Sequence, residues 1–215
     1  MYVPKHFEEP DRSVLHGLIR AHPLGTWVTQ GDGELIANHL PFLLDPARGP
    51  NGTLLGHVAR SNRVWRSLST AVASVVVFQG PEAYVTPSWY PSKSVSGEVV
   101  PTWNYAVVHA HGIPRVIQEG DWLLDLVTRL TDVHESGRAL PWKVADAPRD
   151  FVDRLIRAIV GIEIPVERLV GKWKVSQNRP ESDRLGVATG LLARDGDRSD
   201  EMASLLRRTV SGDGG

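Results

Sequence analysis

The chain has 215 residues, with 24 Lys and Arg against 25 Asp and Glu and a formal net charge of −1. It therefore lacks the basic excess with which a nucleic-acid binder neutralises phosphates. The absence of cysteine excludes disulfides, thiolate nucleophiles and Cys-ligated zinc or iron–sulfur centres.

The start, MYVPKHFEEPDR, has no apolar h-region, so no secretory signal is expected. RSVLHGLIRAHP reads as a short helix capped by Asp11 or Ser13 and ended by Pro23. LGTWVTQ and ELIANHLPFLLD read as two strands joined by a hairpin with the tip Gly31-Asp32-Gly33, and TLLGHVA as a third strand. RSNRVWRSL offers a helical turn or two. ASVVVFQG is β-branched and reads as a central strand, which EAYVTP extends or follows after a bend at Gly80-Pro81. At 71–78 the run AVASVVVF falls far short of the ~20 apolar residues of a membrane span, and the chain reads as soluble and cytoplasmic. Strands are expected again in TWNYAVVHAHG and IPRVIQ. Helices are expected from Asp121, with apolar residues at 122, 123, 126, 127, 130 and 133, and in PRDFVDRLIRAI. VGIEIPVERLVGKWKV returns to strand, and from Gln177 the chain turns polar and helical. The expected architecture is mainly β with flanking helices: one barrel or sandwich domain of six or seven strands over 1–210 with a C-terminal helical extension, then a disordered tail at 211–215.

The segment from Phe78 to Gly112 carries the most information. It sets Phe78, Tyr84, Trp89, Tyr90, Trp103 and Tyr105 around a Pro/Ser/Gly-rich loop, in a chain with 7 Trp, 4 Tyr and 4 Phe. Each ring offers on the order of 150–250 Å², more apolar surface together than a soluble monomer leaves bare. A core, a second subunit or a planar ligand must cover it.

Three constellations bear on chemistry. His109 and His111 share one face of a strand and would be a metal pair only with a third ligand such as His57 or His39, so no metal is expected. Arg60, Ser61 and Asn62 arrive together where a strand ends; guanidinium, hydroxyl and amide are donors suited to a phosphate dianion, or alternatively cap a helix. Arg63 and Arg66 extend this local basic cluster. Lys172 and Lys174 flank Trp173 and project to the face opposite it, as a solvated edge or an anion-binding rim. There is no Walker loop, no GxGxxG after a strand, no GxSxG elbow and no helix-turn-helix pattern.

In order along the chain, MYVPKHF, HLPFLLD, GHVARSNRVW, VVFQGPEAYVTPSWYPSK, VVPTWNYAVVHAHG and GIEIPVERLVGKWKVSQNRPESDRLGV resemble the PaiB-type family. Its members are described as FMN-binding negative transcriptional regulators of the flavin split-barrel group. The resemblance covers nearly the whole chain. It implies a split-barrel homodimer with FMN as cofactor, its phosphate on Arg60, Ser61 and Asn62, its ring near Trp103 or Tyr105, and Lys172 and Lys174 as auxiliary cations. DNA contact is expected to be weak or indirect. The alternative is a flavin- or haem-dependent oxidoreductase of the same fold group. Two positions depart from the pattern: Ser61 and Arg63 bracket Asn62 where Ala-Asn, often followed by Pro, is usual, and Glu98 stands where a basic residue usually precedes VVPTWNY.

Overall fold

The computed structural model describes residues 1–31, 33–69, 71–194 and 197–211. Asp32, at the hairpin tip, and the tail from 212 lie outside the described residues. In chain order the strands are β1 (Glu8–Glu9), β2 (Leu24–Gly31), β3 (Glu34–Pro41), β4 (Leu43–Asp45), β5 (Thr53–Ala59), β6 (Ser74–Val85), β7 (Thr102–Gly112), β8 (Arg115–Ile117), β9 (Ile159–Pro165) and β10 (Arg168–Lys174). The helices are α1 (Arg12–Ala21), α2 (Val64–Ser67), α3 (Gly120–Glu135), α4 (Arg149–Arg157), α5 (Glu181–Leu192) and α6 (Asp197–Ser211).

Two compact units form from interleaved segments. The first takes Met1–Leu18, Gln79–Val108 and Val170–Gly215, the second Ile19–Phe78 and His109–Leu169. Strands β6 and β7 therefore each begin in one unit and end in the other.

The strand order in the first unit is β1-β10-β7-β6. Edge strand β1 pairs with β10 at Glu8↔Lys172 and Glu9↔Gly171. Gly171 has no room for a side chain, since a Cβ would stand 2.1 Å from Leu15 Cδ2. Asp11 caps α1 by accepting from Ser13 N–H at 2.6 Å. Strand β6 continues through Gly80-Pro81 without a break, and Gly80 is required there because a Cβ would meet Leu18 Cδ1 at 2.8 Å. Helices α5 and α6 bury Val187, Leu191, Met202 and Leu206.

In the second unit β2 pairs antiparallel with β3 over its whole length and with β6 at Trp27↔Val76. A separate four-stranded sheet runs β4-β5-β9-β8. Helix α3 lays Leu126 and Leu130 against Leu55 of β5, with Leu43 and Trp122 alongside, and Leu123 against Val152 and Ile156 of α4. Buried Glu163 of β9 is held by Arg48 at 2.7 Å and Arg115 at 3.6 Å.

The strand count exceeds the six or seven expected because the two-residue edge strand β1 carries no period-2 signal and ELIANHLPFLLD, read as one strand, is divided between β3 and β4. The stretch read as one returning strand, 160–175, is two: β9 and β10 part at Val166-Glu167 and enter different sheets. Helix α4 is shorter than PRDFVDRLIRAI, since Ile159 already pairs with Ala59.

Candidate functional site

In the second unit β5 delivers the cluster Arg60-Ser61-Asn62 at its end. Arg60 is anchored on every side. Its backbone N–H donates to Ala158 O at 2.8 Å. Its Nε donates to Arg157 O (2.8 Å), Nη1 to Gln118 Oε1 (2.8 Å) and Nη2 to Ile159 O (3.0 Å). Three of the five guanidinium N–H groups thus tie the end of β5 to the end of α4, to Gln118 after β8 and to the start of β9. Asn62 is ordered by a relay of amides: Val64 N–H donates to its Oδ1 at 3.1 Å, and its Nδ2 donates to Asn38 Oδ1 at 2.8 Å. Asn62 thus closes an Asx turn just before α2, whose N-cap residue is Arg63 and has no side-chain cap. Trp65 donates from Nε1 to Arg60 O, and its ring lies 4.8 Å from the Arg66 guanidinium carbon and 5.9 Å from that of Arg60.

Ser61, Arg63 and Arg66 are exposed, and no ion pair engages Arg63 or Arg66 among the described residues. No carboxylate interrupts Arg60–Arg66. Framed by Arg60 and Asn62, this turn carries an exposed hydroxyl and two exposed guanidinium groups, of which Arg66 lies over the Trp65 ring. That donor set fits a phosphate monoester.

In the first unit, Lys172, Lys174, Trp103 and Tyr105 do share a sheet face. The Lys172 ammonium donates to Tyr2 O at 3.2 Å and lies 5.3 Å from the Tyr105 ring centroid. Lys174 donates to Thr102 Oγ1 and to Trp103 O. Burial, and then the like charge of Lys172, pull its pKa below the usual lysine value. Trp173 is buried on the opposite face, as alternation requires. Trp103 remains 55% exposed and stacks edge-on against Tyr84, with ring centroids 5.9 Å apart. The result is a half-open aromatic and cationic surface. Glu98, where a basic residue was expected, is exposed on the loop before β7.

The rings of His109 and His111 lie 6.2 Å apart. Among the described residues no three His, Asp or Glu side chains are placed to hold a metal ion. Burial, followed by the Arg168 and His109 charges, lowers the pKa of His111 to about 4.

Three features escape a reading of the sequence. Asn104 is fully buried, where its amide exchanges hydrogen bonds with the Ser176 hydroxyl at 3.0 and 3.2 Å. Ser176 adopts φ 62°, a conformation costly for a residue with a Cβ, so VVPTWNY and KWKVSQNRP meet physically in a buried clasp. Asp183, also fully buried, accepts from Ser92 N–H at 3.1 Å and Ser92 Oγ at 2.7 Å, latching the aromatic loop to α5. Trp89 of that loop lies in a notch made by two glycines of α5, where a Cβ on Gly190 would stand 2.4 Å from the indole and one on Gly186 2.1 Å from Trp89 O. The G-x-x-x-G spacing at 186–190 was the one available signal, and nothing in the sequence said which residue filled it.

Residues 1–168 match the family described as "Putative FMN-binding domain". The chain belongs to this family. Its cofactor is FMN. Over 206 residues the chain is 32% identical to the protease synthase and sporulation protein PAI 2 of Bacillus subtilis (strain 168), an alignment covering 96% of each protein. Two solved structures share the fold. The FAD and haem binding protein of Mycobacterium smegmatis superposes with TM-score 0.57 at 17% identity, covering 78% of this chain and 73% of that one. The flavocytochrome Anf3 of Azotobacter vinelandii gives 0.56 at 12%, covering 80% and 72%. The fold is the flavin split barrel, mainly β with flanking helices. Among the described residues no helix is long and apolar enough to cross a membrane.

Proposed function

We propose that this chain is a cytoplasmic, homodimeric FMN-binding regulator of the PaiB type, whose effect on transcription does not come from direct, tight DNA contact. The observation that carries the flavin assignment is the turn Arg60–Arg66, built as a rigid frame with its remaining donors turned outward. The phosphate is held there by Ser61, by the backbone that Asn62 orders and by Arg63, with Arg60 as the frame. In the first unit, the half-open face of Trp103, Tyr105, Lys172 and Lys174 is the surface for the second subunit. The near-zero net charge supports indirect action on DNA, since affinity there rests on phosphate neutralisation.

A charge-assisted hydrogen bond contributes about 1.5–3 kcal/mol, so Arg63→Ala is expected to weaken FMN by about tenfold to a hundredfold at ~1.4 kcal/mol per decade. Riboflavin, which lacks the phosphate, binds wild type and variant alike. Arg60→Ala weakens both ligands, because it loosens the turn itself. Equal loss of riboflavin and FMN in Arg63→Ala would show that the phosphate lies elsewhere. Native mass spectrometry of gently purified protein reads bound FMN and the dimer together. The visible spectrum separates a flavoprotein from the haem-dependent alternative.

A further inference from the structure

Within the second unit, helix α3 and strand β5 border an open cleft of about 350 Å³, inside the range of ligand sites. It opens from the Leu55–Leu126–Leu130 cluster toward solvent. Val127, Leu130 and Thr131 line it from the helix, Pro41 from the end of β3, His57 from β5 and Trp142 from the loop after α3. The loop that carries Trp142 is tied back to the end of α3. Trp142 N–H donates to Glu135 Oε2 at 3.1 Å, while Arg138 Nε donates to Glu135 Oε1 at 3.0 Å.

The polar groups of the lining narrow the ligand class. The Thr131 hydroxyl is used on Val127 O, and the Glu135 carboxylate holds its own loop. His57 has an Nδ1 with no hydrogen-bond partner, and burial pushes its pKa down, so the imidazole is neutral near pH 7. No lysine or arginine lines the cleft, and its second imidazole, His134, is exposed to solvent, so no permanently charged cation is there to hold a phosphate. His57 also precedes Arg60 by three strand residues, about 10 Å along the chain. The cleft is chemically unlike the turn assigned to the flavin phosphate.

We propose that this cleft is a second binding site, taking a small neutral aromatic molecule of the phenol or indole class, stacked on Trp142 with its single polar group toward His57. The proposal does not depend on FMN binding and extends beyond it.

The test titrates indole into the full-length protein by calorimetry, with and without saturating FMN. One saturable site is expected, unaffected by FMN. Val127→Phe, which fills the cleft, weakens indole at least tenfold while FMN affinity and the circular dichroism spectrum stay as in wild type. His57→Phe, which keeps the ring and removes the polar group, weakens indole several-fold and supplies the same answer should Val127→Phe fold poorly. Lack of saturation, displacement of indole by FMN, or wild-type indole affinity in both folded variants would overturn the second site.

Discussion

The Trp89 notch yields a prediction whose sign can be set against a control in the same chain. Replacing Gly190 by Ala puts a Cβ 2.4 Å from two indole carbons, where ordinary contacts begin at 3.4 Å, so the ring or the helix must retreat by about 1 Å. Overpacking of this kind costs about 1–3 kcal/mol. Helix propensity offsets at most about 1 kcal/mol of that, and less here because Gly190 lies near the C-terminus of α5. The Arg194 guanidinium, 4.5 Å from the ring centroid, further limits the room for retreat. The net expectation is a loss of about 1–2 kcal/mol, or about 2–8 °C in Tm for a chain of this size. Gly17 of α1 has nothing within 4 Å of its would-be Cβ, so Gly17→Ala gains about 0.4–1 kcal/mol from propensity and a less flexible unfolded chain. Urea unfolding of both variants, with m-values compared to exclude denatured-state effects, decides the matter. The reasoning is refuted if Gly190→Ala is as stable as wild type. It is equally refuted if Trp89→Leu fails to relieve the Gly190→Ala defect, since directly touching residues must couple.

Asp183→Ala leaves the Ser92 N–H and hydroxyl without their acceptor and is expected to cost about 2–3 kcal/mol. The same urea titration checks it, and a wild-type midpoint would mean the latch contributes nothing. Stability is also expected to fall as pH drops from about 6.5 toward 4. The His111 pKa of about 4 in the fold lies below the ~6.5 of an unfolded histidine, so the unfolded chain binds the extra proton across that window. His111→Gln should flatten the slope between those limits, and an unchanged slope would assign it to other groups.

The elements with strong periodicity were legible: α3 from its 122–133 apolar stripe, β6 from its β-branched run, α1 from the Asp11 cap. That Arg60, Ser61 and Asn62 arrive together at a strand end was legible too, and alternation along each strand set Lys172 with Lys174 and Trp103 with Tyr105. Partner choice over long sequence separations was not. That Arg60 would meet the carbonyls of Arg157 and Ile159, or that Asn104 would clasp Ser176, depends on which strands neighbour one another, and no local pattern encodes that. The break between β9 and β10 was hidden for a related reason: VERL alternates well enough to continue a strand, and only the different sheets on either side force the chain to turn at Val166.

Cations in a motif need sorting by what their donors already touch. Arg60, Lys172 and Lys174 all looked like free anion-binding groups in the sequence, yet each spends donors on the protein's own oxygens. A buried carbonyl left without a donor costs about 1–3 kcal/mol, so these side chains are first of all part of the frame. What the frame presents outward is different: at the turn after β5, Ser61, Arg63 and Arg66; on the sheet face, the rings of Trp103 and Tyr84. Removing a framing cation should therefore disturb every ligand of its turn or face, whereas removing an outward one should disturb only the group it meets. The FMN and riboflavin pair reads this difference directly, because the two ligands differ only in the phosphate that Arg63, and not the Arg60 frame, is expected to recognise selectively.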